Sequence, residues 1–181
     1  NALRIDFARN ITEDWRKVGF LSDDEYYYLV ACIVEGIPFV SNISGTYGRF
    51  IKNEAPFLQK VRAASPADLH KREEQHLFNG NGADVLKEIS GDILYIDPPY
   101  NERQYLPNYH VLETAAKYDF PEVRGITAQR AYENNKSDFC SKTKVVGAFE
   151  ELIANARFNH IILSYSTDGL LLSLIHISEP T

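Results

Sequence analysis

The first pattern along the chain is an apolar stripe at helical spacing. Its members are four or three residues apart, and they are Leu3, Phe7, Ile11, Trp15 and Val18. That period is typical of one face of an amphipathic helix. We therefore predict a helix over residues 2–18 with this stripe as its apolar face and Gly19 as its end.

A second helix is predicted to follow at once. Ser22 and Glu25 stand three residues apart, the spacing of a capping box in which the two residues satisfy backbone donors at the start of a helix. The residues after them are rich in Tyr, Leu, Val and Ile. The sequence therefore predicts a helix from Asp23 to about residue 36, and Pro38, which has no backbone donor, is expected to end it.

In the second half of the chain, short apolar runs alternate with helical patterns. Strands are predicted at residues 77–79, 92–96 and 161–165, and helices at about 84–89, at 108–118 and after Ser141. Strands separated by helices indicate an α/β fold with a parallel sheet.

The strand over 92–96 stops at Asp97, because Pro98 and Pro99 remove two backbone donors. The carboxyl ends of strands in an open α/β sheet form the edge at which ligands bind. This turn suits a flat heterocycle with an exocyclic amine. Tyr100 offers a π-face, and Asp97 and the Pro98 carbonyl can each accept one N–H, which frees the nitrogen lone pair to attack a methyl group. An ordinary turn is the alternative; the flanking residues favour a site.

Those flanking residues carry a family resemblance. Asp97-Pro98-Pro99-Tyr100 resembles the catalytic motif of adenine-specific DNA methyltransferases, and the similarity to the DNA adenine methylase type runs over residues 1–171. The stretches that continue it are 91–95, 101–105, 108–110, 113–114, 117–118, 139–142 and 163–165.

The resemblance implies a fold, a reaction and partners. The fold would be part of a Rossmann-like S-adenosylmethionine-dependent methyltransferase sheet, with a helical insertion at the N-terminal side. The reaction would move a methyl group from S-adenosylmethionine to the amine of an adenine flipped out of double-stranded DNA. A cognate restriction endonuclease is an expected partner, and the transfer needs no metal. The implied catalytic residues are Asp97, Pro98, Pro99 and Tyr100.

The cofactor site departs from the family pattern. Where the family has an acidic residue for the adenine amine of S-adenosylmethionine, this chain has Asn81, with Asp84 as the nearest carboxylate. An amide accepts that bond more weakly than a carboxylate does. We expect Asn81 and Asp97 to contact the cofactor. Because the family's Gly-rich cofactor motif does not occur in the sequence, we expect this chain alone to bind S-adenosylmethionine weakly or not at all.

Basic residues are unevenly spread on a chain whose net charge is −6. They concentrate in residues 49–72 and 124–144, and such segments can meet phosphates although the remainder is acidic. The small residues of 41–52 suggest a loop that approaches DNA, with a plain connecting loop as an equal alternative. The long irregular stretch 119–141 is predicted to clamp DNA. The candidate DNA contacts are Tyr47, Arg49, Lys52, Arg103, Tyr105, Arg130, Lys136 and Lys142.

Length and composition restrict the protein class. The chain has 181 residues, of which 44% are hydrophobic, and no apolar stretch is long enough to span a membrane. Cys32 and Cys140 lie far apart without metal-site spacing, which indicates a reducing, cytoplasmic setting. We predict a helical region on the target-recognition side over 1–75 and a partial methyltransferase core over 76–171.

Both ends of the sequence look incomplete. It begins with Asn1 and contains no methionine, and residues 172–181 match the translation of a transposase sequencing adapter. We expect the native start to lie upstream, 172–181 to be non-native, and the chain to be inactive alone.

Two other functions stay open. Methyltransferases of RNA or of protein glutamine commonly carry Asn at the position of Asp97, so the aspartate favours DNA adenine. A non-catalytic DNA-binding fragment would keep the turn without the cofactor site. None of these functions assigns chemistry to His110, which is expected at the surface or as a cap.

Overall fold

The computed structural model of the chain describes residues 2–43, 45–49, 51 and 76–171. Lys52 and the stretch 172–181 therefore lie outside the described residues. The helices and strands are α1 (Ala2–Lys17), α2 (Asp23–Val40), α3 (Gly82–Glu88), β1 (Gly91–Ile96), α4 (Tyr105–Lys117), β2 (Val123–Arg124), β3 (Gln129–Arg130), α5 (Val145–Asn155) and β4 (Phe158–Leu163). None of the helices in these ranges has both the length and the apolarity needed to cross a bilayer.

The chain divides into two compact units. Unit 1 contains Asn1–Lys71 and Leu106–Tyr132, and unit 2 contains Arg72–Tyr105 and Glu133–Thr181. The predicted catalytic region 76–171 thus contributes to both units, because its middle part packs with the N-terminal helices.

The N-terminal helices begin and end largely as predicted. Gly19 follows α1 with a φ of 71°, the left-handed conformation that glycine adopts without strain. The Ser22 N–H donates to the Glu25 carboxylate (2.9 Å) and the Ser22 hydroxyl accepts from the Glu25 N–H, so the capping box is formed. The prediction that Pro38 ends α2 is wrong. The helix continues to Val40, because a proline in the last turn forfeits only one intrahelical bond.

The two fully buried residues of α1, Arg9 and Thr12, are polar. Leu3 and Phe7 of the predicted apolar stripe are 84% and 68% exposed. Arg9 is buried instead, since its guanidinium donates to the Glu13 carboxylate (3.0 Å) and to the Ala115 carbonyl oxygen of α4 (2.8 Å). The interior of unit 1 therefore includes a charged group whose donors are satisfied.

Unit 2 contains a parallel sheet, as predicted. Strands β1 and β4 pair in parallel, with Ile93 opposite His160 and Ile96 opposite Leu163. The prediction of a strand over 77–79 is wrong, since these residues have no strand conformation. A strand needs a pairing partner, and Leu77 is 96% exposed.

One side of this sheet packs against α3 and α5. Most buried apolar residues of unit 2 form two clusters. The first is Ala83, Leu86, Ile96 and Leu152, and the second is Val145, Phe149 and Leu170. Side chains alternate along a strand, so Ile93 and Tyr95 face away from Ile96, and each is 61% exposed.

Candidate active site

The turn after β1 is held at both ends by main-chain hydrogen bonds. The Ser164 N–H donates to the Ile96 carbonyl oxygen (2.8 Å), at the last position before the prolines. The Leu170 N–H donates to the Tyr100 carbonyl oxygen (2.9 Å). Because the two prolines between these bonds have restricted backbones, residues 97–100 leave the sheet as a short, fixed corner. We call this segment the Asp-Pro-Pro-Tyr corner.

The first and last side chains of the corner, Asp97 and Tyr100, are exposed to solvent, and the two prolines between them are less exposed. Asp97 is exposed, and its carboxylate has no hydrogen-bond partner among the described residues. Pro98 is buried, Pro99 is half-buried, and Tyr100 is 44% exposed. A free carboxylate and an accessible ring on one rigid corner can bind a flat ligand that carries an N–H donor.

Tyr165 supports the corner from behind. Its hydroxyl lies 3.5 Å from the Tyr100 carbonyl oxygen and accepts the Leu171 N–H (3.2 Å). Its ring packs against Phe149, with ring centroids 5.6 Å apart. Gly169 must lack a side chain, because an added Cβ would clash with the Tyr165 ring. Sequence reasoning did not find this support, since its partners become neighbours only when the chain folds.

The residues after the corner turn sharply. The Asn101 side chain accepts the Arg103 N–H (2.9 Å), an Asx turn that leaves Arg103 exposed. Tyr105 is 52% exposed. Gln104 between them is half-buried and bonds to Ser137, a partner 33 residues away that no local sequence pattern indicates.

Asn81, the predicted cofactor contact, begins helix α3. Its side-chain oxygen accepts the Ala83 N–H (3.0 Å) as an N-cap. The nearby Asp84 carboxylate pairs with Lys87 at 2.7 Å. Part of the acceptor capacity of Asn81 is thus used within the protein.

The loop around Tyr47 differs from expectation. Tyr47 is 6% exposed, and its ring packs edge-on against His110. A buried ring cannot stack on a base, so the predicted role of Tyr47 is corrected to a structural one. Arg49, two residues later, is exposed as predicted.

His110 is a buried anchor for this loop. It is 1% exposed, which corrects the expectation of a surface residue, and its Nε2 lies 3.3 Å from the Tyr47 carbonyl oxygen. The Tyr47 N–H donates to the Asn108 carbonyl oxygen (2.7 Å). Burial lowers the pKa of His110, although the hydrogen bond with Tyr47 acts in the opposite direction.

The cations of the predicted DNA clamp differ in exposure. The Arg130 side chain is 13% exposed and donates to the Asp119 carboxylate, and this bond lowers the pKa of Asp119. Lys136 and Lys142 are exposed. The predicted contacts thus belong to two units, with Tyr47, Arg49 and Arg130 in unit 1 and the other described ones in unit 2.

Comparison with known proteins finds relatives whose similarity extends over nearly the whole chain. It is 44% identical to the Type II methyltransferase M.FokI of Planomicrobium okeanokoites over 95% of its length, and 40% identical to the Type II methyltransferase M.NlaIII of Neisseria lactamica over 94%. The modification methylase StsI of Streptococcus sanguinis is 38% identical over 94%. The chain covers 27%, 51% and 26% of these three relatives, so it spans a quarter to a half of their length.

No solved structure matches the chain. A family match nevertheless extends from residue 1 to residue 175 and so includes unit 1, unit 2 up to residue 175 and the whole Asp-Pro-Pro-Tyr corner. The chain therefore belongs to the family of D12 class N6 adenine-specific DNA methyltransferases.

Proposed function

We propose that the chain carries the base-binding corner of an enzyme that methylates the exocyclic amine of adenine in double-stranded DNA. The observation that carries this proposal is the open Asp97 carboxylate and the exposed Tyr100 ring at the carboxyl end of a parallel strand. Family membership supports the same reaction. Because the chain spans only part of its relatives, we propose the activity for the full-length polypeptide that contains it.

The chemistry follows from the acceptors of the corner. Adenine within a duplex cannot present its amine to the corner, so the base must be flipped out, and stacking on Tyr100 offsets part of that cost. Asp97 and the Pro98 carbonyl then accept the two N–H groups of the amine. This geometry withdraws the nitrogen lone pair from conjugation and makes it nucleophilic. S-Adenosylmethionine, the donor that the family implies, would supply the methyl group.

The described residues do not make a complete cofactor site. Asp97 is open, but Asn81 caps α3, and no glycine-rich turn follows a strand in the described ranges. These residues alone therefore do not fit S-adenosylmethionine. We expect isothermal titration of this chain to show no micromolar binding, and a micromolar Kd would contradict this proposal.

We propose that β1 and β4 are part of a larger Rossmann-like sheet, with the helices of 1–75 as an insertion on the target-recognition side. In this scheme 76–171 supplies the catalytic part. Parallel sheets are normally covered on both faces. The exposure of Ile93 and Tyr95 supports further chain on that side of the sheet.

We propose that exposed groups near the corner and on the loop of unit 1 contact the DNA backbone. They are Arg49, Arg103, Tyr105, Lys136 and Lys142, together with Lys52 outside the described residues. Arg130 is left out of this set because its side chain is only 13% exposed and its guanidinium is held by Asp119, whereas the Lys142 side chain is 63% exposed. A cognate restriction endonuclease is the proposed partner, since relatives are named Type II methyltransferases.

Replacement of Asp97 tests the proposal. Asp97→Ala should lower methyl incorporation into duplex DNA by about a hundredfold or more, because an acceptor aimed at the reacting amine is lost. Asp92→Ala is the matched control, since Asp92 is an exposed carboxylate at the other end of β1. Unchanged incorporation in Asp97→Ala would overturn the proposal.

A further inference from the structure

A short segment of unit 2, Ser137–Ser141, is bonded to the residues that leave the Asp-Pro-Pro-Tyr corner. We call this segment the strap. The Gln104 side chain donates from Nε2 to the Ser137 carbonyl oxygen (3.1 Å), and its Oε1 accepts the Ser137 N–H (2.8 Å). One side-chain amide thus pairs with both backbone groups of one residue, as a neighbouring strand would.

The strap has a second set of anchors further along. Cys140 is 5% exposed, and its Sγ donates to the Arg103 carbonyl oxygen (3.4 Å). The Phe139 ring packs on Phe149 of α5, with ring centroids 5.0 Å apart. A thiol hydrogen bond and a ring contact depend only weakly on orientation. They hold the strap in the core but do not set the orientation of its first residue, Ser137.

Exposed lysines flank the strap. Lys136 precedes it and Lys142 follows it, and the Lys142 ammonium lies 3.6 Å from the Glu102 carboxylate. Gln104 is four residues after Tyr100 in the chain. The Gln104 bonds therefore join the segment that bears these cations to the residues that follow the base-binding corner.

We propose that Gln104 is a positioning residue, which fixes the strap so that Lys136 and Lys142 meet DNA phosphates in register with the base held at the corner. This inference rests on the proposed function. Gln104 itself contacts neither the base nor the methyl group. Its loss should therefore weaken productive DNA binding and leave the affinity for S-adenosylmethionine unchanged.

The test uses the full-length polypeptide, duplex DNA and labelled S-adenosylmethionine. Gln104→Ala should raise the KM for DNA about tenfold and reduce the salt dependence of that KM by about two phosphate contacts, those of Lys136 and Lys142. The KM for S-adenosylmethionine should not change. Gln129→Ala, a half-buried glutamine of unit 1, is the matched control and should leave both constants unchanged.

Two further measurements separate positioning from general destabilisation. In a background that carries both Lys136→Met and Lys142→Met, Gln104→Ala should add little, because the phosphate contacts that Gln104 positions are already removed. Labelling of Cys140 by a thiol reagent should become at least about tenfold faster in Gln104→Ala, while Cys32, also buried, reacts as in the wild type. If Gln104→Ala does not fold, Gln104→Glu, which keeps the acceptor and loses the donor, takes its place.

The outcomes are distinguishable. An active wild type whose KM for DNA is unaffected by Gln104→Ala would overturn this inference alone. Equal rises in the KM for DNA and for S-adenosylmethionine would also overturn it. A wild type that does not methylate DNA would remove the proposed function and this inference with it.

Discussion

The two compact units differ in the polar groups that they bury, although both bury apolar residues. The buried polar side chains of the described residues, Arg9, Thr12 and His110, all belong to unit 1. Unit 2 buries apolar residues such as Leu86 and Leu152 around its sheet. Directional bonds depend on the charge state of their partners, whereas apolar packing does not. We therefore expect the unit that carries the proposed catalytic corner to be the less sensitive to pH.

We expect the largest decrease in the free energy of unfolding when the ion pair between Arg9 and Glu13 in unit 1 is removed. Arg9→Met should lower the free energy of unfolding by about 4 kcal/mol, because Glu13 and the Ala115 carbonyl lose a donor in a buried site. Urea denaturation measures the change. Arg4→Met, at an exposed position of the same helix, should have little effect. Equal stability of Arg9→Met and Arg4→Met would contradict the conclusion that unit 1 depends on its buried polar groups.

Shortening a buried apolar side chain in unit 2 should lower the free energy of unfolding slightly less. Leu152→Ala is expected to lower the free energy of unfolding by about 3 kcal/mol through lost burial and a cavity beside Ile96. The neighbouring Ile153 is 51% exposed, so Ile153→Ala serves as the control. Because no charge is involved, the loss in Leu152→Ala should be the same at pH 5 and pH 7. A pH-dependent loss would contradict the apolar account of this unit.

Acidification should weaken unit 1 through His110. Its pKa is lowered in the folded state, so the stability contributed by the neutral ring is present above the unfolded pKa and is lost as the pH falls. Hydrogen exchange of the backbone around Tyr47 should therefore accelerate between pH 7 and pH 5, after correction for intrinsic rates. The acceleration should be smaller in His110→Gln. An identical pH dependence in both proteins would show that another group titrates.

The smallest expected effect concerns the Tyr47 hydroxyl. It is buried with no hydrogen-bond partner among the described residues, so Tyr47→Phe should change the free energy of unfolding by less than about 0.5 kcal/mol. Tyr26→Phe is the contrasting variant, because the Tyr26 hydroxyl donates to Glu13 (2.8 Å) and accepts from Arg9 (2.8 Å). It should cost about 2 kcal/mol. A larger decrease in the free energy of unfolding for Tyr47→Phe than for Tyr26→Phe would contradict the conclusion that the Tyr26 hydroxyl is hydrogen-bonded and the Tyr47 hydroxyl is not.

Apart from the parallel sheet, the features that the sequence predicted correctly have local causes. The capping box of Ser22 and Glu25 depends on residues three apart, and the end of β1 depends on prolines next to it. The buried face of α1 could not be predicted, because Arg9 is stabilised by Ala115, 106 residues away. The strand expected at 77–79 failed for a related reason, since an apolar run becomes a strand only where a neighbour pairs with it.

In the candidate site, too, the parts with local causes were predicted and the parts that depend on distant residues were not. The corner from Asp97 to Tyr100 was predicted as a site from its residue types together with the residues that flank it, and its catalytic role stays a prediction. The contacts by which Tyr165 and Gln104 support it were not predicted, because their partners are distant in sequence. The burial of Tyr47 was missed because a Gly- and Ser-containing loop is usually exposed.

The bonds from Ser164 and Leu170 to the two ends of the corner have a practical consequence for enzyme engineering. Transplanting β1 and its four-residue motif into another scaffold would move the acceptors but not the braces that hold them. A working graft would need to include residues 164–171 as well, with glycine kept at position 169.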